Sequence, residues 1–229
     1  MYHYVEDKEF RKKLRATCSG IVNQLVQRIN NGTVMEVKAQ LVGSGAQNLI
    51  TQNAECPVDL DYNLCIIRTT FGDCRDIKEY VRKQFNAVLG ANGWGDCQDS
   101  TSVLTTKKRR FRDGNQTEFR IDLAIVRCCN GSWQRLVHCK TGYVSMDLYT
   151  WNQAFDSGQL EEKAEALKAN HFWTELRKVY LKRKNMYLGR NDTEHPSFVV
   201  YTEAVNEVYR KYEINGMFSR YEYKIISIQ

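Results

Sequence analysis

Val58-Asp59-Leu60-Asp61-Tyr62-Asn63-Leu64 places two carboxylates one residue apart within an alternating pattern of apolar and polar residues. On a β-strand, residues i and i+2 project from the same face. Asp59 and Asp61 are therefore expected to point together, while the apolar residues between them face a core. Carboxylate oxygens are the ligands that hard divalent cations prefer. The pattern predicts a strand with a cation site on one face.

A third carboxylate stands in a second strand-like stretch, Phe119-Arg120-Ile121-Asp122-Leu123-Ala124-Ile125. The same alternation puts the large apolar residues on one face and Asp122 on the other, beside Arg120. A carboxylate in an otherwise aliphatic strand needs a compensating partner, because burying it alone is costly. If this strand lies next to the first one, Asp122 completes a metal site. The alternative is a structural ion pair with Arg120.

A glycine-rich turn, Gly43-Ser44-Gly45, follows a half-buried strand over residues 37–41 and precedes the acidic strand. Glycine lets a backbone approach a ligand closely, and the N–H groups and hydroxyl of such a turn can hold phosphates. Gly43 and Ser44 are therefore predicted to bind the β- and γ-phosphates of a nucleoside triphosphate such as ATP.

In this order and strand context, Leu41-Val42-Gly43-Ser44, the Asp59/Asp61 strand and the Asp122 strand resemble the polymerase-β-type nucleotidyltransferase superfamily over roughly residues 35–140. The resemblance implies an α+β fold, with a mixed β-sheet core, flanking helices and a C-terminal helical part that helps to close the nucleotide cleft. It also implies a magnesium-dependent transfer of a nucleoside monophosphate from a nucleoside triphosphate to an acceptor hydroxyl, with release of pyrophosphate.

The resemblance assigns the site residues as well. Asp59 and Asp61 would bind two Mg²⁺ ions, or Mn²⁺ in their place, and Asp122 would bind the catalytic ion and help to activate the hydroxyl. Two such ions, roughly 3.5–4 Å apart, can stabilise both the attacking and the leaving oxygen of an in-line displacement. The chain departs from the family in having Ala46 and Gln47 soon after the Gly-Ser turn and Val58 before the first aspartate. These departures leave the acceptor open.

The acceptor could be a small molecule, a second nucleotide, an RNA end or a protein side chain. At 229 residues the chain is short beside the usual cyclic-dinucleotide synthases, which disfavours a cyclic product. One rival function is a non-catalytic module of the same fold that contacts nucleic acid or protein through basic residues. A second rival is a metal-dependent phosphohydrolase that uses the same carboxylates on water.

A concentrated basic run, Lys107-Lys108-Arg109-Arg110-Phe111-Arg112, is predicted to form a strand beside the Asp122 strand. Alternation would then send Lys108, Arg110 and Arg112 to one face, where Lys108 and Arg110 could contact substrate phosphates. The alternative is a solvated strand near a hairpin tip. Lys140, just past the next strand, is a further candidate for contact with the triphosphate.

The composition, with 42% apolar and 26% charged residues, is that of an ordinary globular protein. The apolar runs fall far short of the roughly 20 residues that a membrane-spanning helix needs. Residues 2–7 lack the layout of a signal peptide. These observations predict a cytoplasmic protein with no membrane partner.

The eight cysteines are scattered through the chain, which favours reduced thiols over a disulfide framework. A zinc site from Cys128, Cys129, His138 and Cys139 is a weaker alternative, because their spacing is not a recognised one. Otherwise His138 is interpreted as structural or as a surface residue, with a general-base role as a weaker possibility.

Periodicity predicts a helix over 10–29, a second over 77–88, and three antiparallel strands over 102–112, 118–128 and 133–139. Asp113-Gly114 and Asn130-Gly131 are expected to form the turns between these strands. A helix through 160–181 and another over 197–212 follow. The expected organisation is a catalytic core over 1–145 and a C-terminal helical region over 146–229 packed on it.

Overall fold

The computed structural model describes residues 1–154, 158–192 and 197–214. The chain divides into two compact units, with the division between 156 and 157. The strands are β1 (Tyr2–Tyr4), β2 (Met35–Leu41), β3 (Thr51–Asn53), β4 (Val58–Thr69), β5 (Gln98–Asp99), β6 (Leu104–Thr105), β7 (Phe119–Cys129), β8 (Ser132–Cys139) and β9 (Leu148–Gln153). The helices are α1 (Lys8–Asn30), α2 (Gly43–Ala46), α3 (Cys74–Ala91), α4 (Gly158–Ala169), α5 (Trp173–Gly189) and α6 (Ser197–Ile214).

A mixed sheet forms the centre of the first unit, in the order β2-β4-β7-β6-β5, and the second half of β7 also pairs with β8, which pairs with β9. The two long strands β4 and β7 run parallel, and their neighbours run antiparallel to them. A separate pair is made by β1 and β3. The predicted α+β architecture, with a mixed sheet and flanking helices, is confirmed.

One face of the sheet is covered by α1 and α3. The alternation predicted for β4 and β7 is present, so every second residue is buried against these helices. An apolar side chain that leaves water in this way contributes roughly 1.5–3 kcal/mol. The core contains Leu14 and Leu25 of α1, Val81 and Phe85 of α3, and Leu60, Leu64, Ile121 and Leu123 of the strands.

The local signals at the ends of these elements explain their positions. The Asp7 carboxylate caps α1 by accepting a hydrogen bond from the Phe10 N–H at 2.9 Å. At the other end of α1, the Asn30 side chain bonds both backbone groups of Val37, which fixes the helix to β2. Asn130 and Gly131 have φ of 51° and 76° and close the β7–β8 hairpin, as predicted.

The strand predicted over 102–112 is wrong for most of its length. β6 consists of Leu104 and Thr105 alone, and beyond it only an isolated bridge joins Arg109 to Phe119. Thr105 pairs with Asp122, and Arg109 pairs with Phe119. The basic segment advances four residues between these two pairs while β7 advances three, so an extra residue interrupts the pairing. Asp113-Gly114 accordingly lies in a wider loop, and the alternation predicted for the basic run does not apply.

The single helix predicted through 160–181 is two helices, α4 and α5. The chain leaves α4 at His171, whose φ of 65° is left-handed. The Phe172 N–H then bonds the Leu167 carbonyl and the His171 N–H bonds the Lys168 carbonyl. This is a Schellman arrangement, in which two terminal carbonyls of the helix are satisfied.

The second unit consists of α4, α5 and α6 in its described part. Leu176 and Tyr180 of α5 are buried with Ala204 and Val205 of α6. The division at 156/157 lies beyond the expected 145/146, because β9 pairs with β8 and so belongs to the first unit. Packing of the helical region on the core stays a prediction, and residues 215–229 of that region lie outside the described residues. None of the described helices is both long and apolar enough to cross a membrane.

All eight cysteines are free thiols, as predicted. The zinc alternative does not hold. Cys128 and Cys129 pair with Trp133 and Ser132 across the hairpin, whereas His138 and Cys139 pair with β9.

Candidate functional site

Asp59, Asp61 and Asp122 lie on the face of the sheet opposite α1 and α3. The β4–β7 register sets Asp61 directly beside Asp122 on the neighbouring parallel strand, and Asp59 beside Arg120. All four side chains are partly exposed, while the residues between them are buried. The structure therefore brings the three predicted carboxylates onto one face of two adjacent strands. We refer to Asp59, Asp61 and Asp122 as the carboxylate site.

The Gly-Ser turn lies against this site. The Val42 N–H donates to the Asp61 carbonyl at 2.9 Å, and Gly43 follows with a φ of +62°. A Cβ atom at Gly43 would lie 2.9 Å from Asp61 Oδ2, which is shorter than the contacts that Cβ atoms make in proteins. Position 43 thus needs glycine both for its conformation and for its approach to the carboxylate. Ser44, half-buried, follows at once.

Helix α1 contacts the Gly-Ser turn through Arg15. The Arg15 guanidinium donates to the Gly45 carbonyl at 2.7 Å and to Asn48 Oδ1 at 2.6 Å. Gly45 is itself buried against Leu60 and Leu41. Sequence reasoning missed Arg15, which is one of several basic residues on α1 and whose partners are separated from it by about 30 residues.

Arg120 forms an ion pair, as in the alternative given for its strand in the sequence analysis, but its partner is Asp59. Its Nε lies 2.5 Å from Asp59 Oδ1 and its Nη2 lies 3.2 Å from Oδ2. The hydrogen bond to Asp59, together with the charges of Asp122 and Asp61, raises the pKa of Arg120. Arg120 thus pairs with Asp59 and interacts with the charges of the two other carboxylates.

The chemistry of the donor set suits a hard divalent cation, because carboxylates from adjacent strands share one half-open face. Among the described residues, however, no three His, Cys, Asp or Glu side chains already converge as a metal-holding group. The Asp59 carboxylate is turned onto Arg120 instead. The residues fit the predicted ion, and Asp59 would have to give up its contact with Arg120 to bind it.

Asp122 has a protein partner of its own. Thr105 Oγ1 donates to Asp122 Oδ1 at 2.6 Å from the neighbouring strand β6. Burial raises the pKa of Asp122, against the lowering effect of this hydrogen bond and of Arg120. A carboxylate with a raised pKa is a better proton acceptor than an ordinary one. Nothing in the sequence indicated Thr105, because a hydroxyl in a strand carries no sign of its partner.

The basic residues predicted to contact phosphates are not placed by a regular strand. Lys108 Nζ lies 3.7 Å from Glu118 Oε2, and the Arg110 side chain is exposed. Lys140 Nζ donates to the backbone carbonyl of Asp99 at 2.5 Å. Asp99 is on β5, which β6 separates from the Asp122 strand. Phosphate contact by Lys108, Arg110 and Lys140 stays a prediction.

A second group of charged residues was missed by the sequence analysis. His138 Nδ1 lies 2.8 Å from Asp99 Oδ2, and its Nε2 lies 2.8 Å from Asp147 Oδ2. Lys78 Nζ lies 2.6 Å from Asp99 Oδ1. All four side chains are at most 8% exposed. We call Lys78, Asp99, His138 and Asp147 the buried network. Its members come from α3, β5, β8 and the loop before β9, and no spacing in the sequence links them.

No protein-family model and no curated protein sequence matches the chain. Several solved structures resemble it. Vibrio cholerae DncV, a cyclic AMP-GMP synthase in complex with the linear intermediate 5′ pppA(3′,5′)pG, matches with a TM-score of 0.59 and 10% identity over 90% of this chain and 68% of that one. Escherichia coli MS115-1 CdnC with ATP matches with a TM-score of 0.54 and 12% identity over 87% of this chain and 61% of that one.

A third structure, the Elizabethkingia meningoseptica cyclic dinucleotide synthase CdnE with GTP and Apcpp, matches with a TM-score of 0.51 and 10% identity. The match covers 92% of this chain and 72% of CdnE. The chain therefore has the polymerase-β-type nucleotidyltransferase fold that its motifs predicted. It spans 61% of the length of CdnC.

Proposed function

We propose that this chain, on its nucleotidyltransferase-type fold, is a magnesium-dependent enzyme that transfers a nucleoside monophosphate from a nucleoside triphosphate to an acceptor hydroxyl and releases pyrophosphate. One observation carries the proposal. Asp61 and Asp122 stand side by side on parallel strands, and the backbone of Gly43 closes onto the Asp61 carboxylate. Metal ligands and a phosphate-binding turn are thereby adjacent.

Asp59 and Asp61 would hold the divalent ions, and Asp122 would bind the catalytic one. Bound magnesium would supply charge neutralisation on the transferring phosphoryl group and lower the pKa of the attacking hydroxyl. Asp59 would then have to give up part of its contact with Arg120. The Arg120 guanidinium lies on the site face, where it can donate to phosphate oxygens.

The protein's remaining work is positioning. Ser44 and the backbone beside Gly43 hold the leaving pyrophosphate, and Arg15 keeps that turn in place through Gly45. Asp122 would help to activate the attacking hydroxyl, because it would hold the ion nearest to it. Thr105 orients the Asp122 carboxylate through the hydrogen bond to Oδ1.

For the acceptor we propose the ribose hydroxyl of a second nucleotide. Support comes from the shared fold with DncV and CdnE, which are named as synthases of cyclic dinucleotides. The chain spans 68% of DncV and 72% of CdnE, and the proposal covers both a linear and a cyclic product. A small molecule, an RNA end and a protein side chain are the competing acceptors.

The test is an incubation of the full chain with each α-labelled nucleoside triphosphate, alone and in pairs, with Mg²⁺ or with EDTA. The proposal expects pyrophosphate and a labelled dinucleotide or longer product, only with Mg²⁺. Release of labelled monophosphate or of free phosphate without an adduct would identify a phosphohydrolase. Asp113→Asn, a change at an exposed aspartate in the loop before β7, is the matched control for Asp61→Asn.

A further inference from the structure

Two basic segments that are far apart in the sequence meet at one end of α1. The first two turns of this helix, residues 8–15, carry Lys8, Arg11, Lys12, Lys13 and Arg15. The basic run over 107–112 packs beside them. The Phe111 ring centroid lies 5.9 Å from that of Phe10, and Lys13 Nζ lies 4.4 Å from the Phe111 ring centroid. We call residues 8–15 and 107–112 together the composite basic surface.

The charge of this surface exceeds that of the whole molecule. Its two segments hold ten lysines and arginines and one acidic residue, Glu9, a net charge of +9, whereas the entire chain carries +6. Two of the nearby acidic groups have partners. Asp7 accepts from Phe10 and Asn115, and Glu118 lies 3.7 Å from Lys108. A concentrated positive field of this kind attracts polyanions.

The exposed part of the surface is polar. Phe111 packs inward, with its ring centroid 4.8 Å from that of Phe119. The exposed large apolar side chains of the described chain lie in neither segment, and several of them stand together over 143–148. A surface that binds lipid bilayers would combine its lysines with apolar side chains that insert. Arginine and lysine without such side chains suit a phosphate backbone.

We propose that the composite basic surface binds nucleic acid through its phosphate backbone, without reading base sequence. Seven of its basic side chains are exposed, namely Lys8, Lys12, Lys13, Lys107, Lys108, Arg110 and Arg112. Arg109, within the 107–112 segment, forms the isolated bridge to Phe119, at the start of the strand that carries Asp122. A bound strand therefore lies close to the first residues of β7, so it can supply an acceptor end or regulate transfer.

The test measures fluorescence anisotropy of a labelled 30-base-pair duplex and a labelled single strand against the full chain. The matched pair of variants is K12Q/K13Q/R112Q on the composite basic surface and K38Q/R68Q/K83Q at exposed basic residues elsewhere. Both remove the same charge. Binding of nucleoside triphosphate and the thermal midpoint are recorded for each, which separates this proposal from the function of the carboxylate site.

If four phosphates are contacted, the wild-type affinity for duplex falls about 100-fold between 50 and 200 mM salt. K12Q/K13Q/R112Q is expected to bind about 10-fold or more weakly at low salt, with the slope of log K against log salt reduced by roughly two to three. K38Q/R68Q/K83Q is expected to bind within twofold of wild type. Equal losses in both variants, or no binding at 50 mM salt, would overturn the proposal. Binding to phosphatidylserine vesicles in place of nucleic acid would reassign the surface to membranes.

Discussion

Two groups of carboxylates in the first unit differ in how their charge is compensated, and the buried one is the better compensated. In the buried network, Asp99 lies between Lys78 and His138, and Asp147 meets the other nitrogen of His138. Each ring nitrogen of His138 thus contacts one carboxylate, and the Lys78 ammonium lies against the other oxygen of Asp99. The polar groups of the buried network therefore have partners inside the protein, which is the arrangement that a protein interior tolerates.

The carboxylate site has the opposite character. Three carboxylates share one face of the sheet with Arg120, and the Asp59 and Arg120 side chains are 36% and 35% exposed. Burial raises the pKa of Asp122, which shows that its charged form is disfavoured where it stands.

The difference separates a structural role from a binding role. A network whose members already contact one another in the interior has little to gain from a ligand, and losing one member leaves an uncompensated buried charge. A half-open group of three carboxylates supplies the oxygen ligands that a divalent cation prefers. The predictions below test this contrast, beginning with the largest expected effect.

Asp61→Asn is expected to lower nucleotidyl transfer on the order of 10³-fold, the scale for losing a group that stabilises developing charge. The fold is expected to survive, because Asp61 is partly exposed. Pyrophosphate release at saturating Mg²⁺ measures the effect, and Asp113→Asn should keep wild-type activity. Transfer at more than a tenth of the wild-type rate in Asp61→Asn would remove the carboxylate site from the mechanism.

Lys78→Met is expected to destabilise the fold by about 3–5 kcal/mol, because Asp99 would lose its ammonium partner in a buried position. Arg120→Met is expected to change stability by at most about 1 kcal/mol, since exposed ion pairs contribute little. Urea denaturation of both variants gives the free energies of unfolding. Similar losses in the two would mean that the groups do not differ as described.

The two groups are also expected to respond to pH with opposite sign. Burial places the pKa of Asp122 above that of the unfolded chain, so the folded state binds the proton more tightly and the contribution of Asp122 to stability improves as pH falls through that range. Hydrogen bonds from the Thr141 amide and from His138 lower the pKa of Asp147, so its contribution is present above the ordinary carboxyl range and is lost on acidification below it.

Thermal midpoints between pH 3 and pH 8 test this sign. At pH 7, Asp122→Asn is expected to match or exceed the wild-type midpoint, whereas Asp147→Asn is expected to fall below it. The difference between wild type and Asp147→Asn should shrink as pH is lowered. A lower midpoint for Asp122→Asn at pH 7 would contradict the assignment of a raised pKa.

Thr105→Val is expected to have the smallest effect. The variant removes the 2.6 Å hydrogen bond that lowers the pKa of Asp122, so that pKa rises further. The acid side of the rate profile should move to higher pH. Thr105→Ser keeps the hydroxyl and is the control. An unchanged profile in Thr105→Val would mean that Asp122 does not take part in proton transfer.

The sequence predicted the parts of this contrast that follow from strand alternation. Leu60 and Ile121 are buried where expected, and Asp59, Asp61 and Asp122 share the other face. The reason is that the two-residue period of a strand determines which face each side chain takes.

What the sequence could not predict depends on contacts between distant segments. The buried network joins residues from four separate parts of the chain, so the sequence around His138 does not reveal that Asp99 and Asp147 are its partners. The basic run does not form the predicted strand, because one extra residue interrupts its pairing with β7. A periodic sequence pattern does not reveal such an irregularity. The pairing of Arg120 with Asp59 is a side-chain contact, whereas strand alternation predicts only the face of the sheet on which each side chain lies.

The central claim is that the carboxylate site, and not the buried network, binds a metal-bound triphosphate. Calorimetric titration of each nucleoside triphosphate into wild type, Asp59→Ala/Asp61→Ala and Lys78→Met, with Mg²⁺ and with EDTA, tests it most directly. The account predicts binding that requires Mg²⁺ in wild type, no binding in the double variant, and retained binding in folded Lys78→Met. Binding that persists without Mg²⁺ or without both aspartates, or no binding of any triphosphate to wild type, would contradict it.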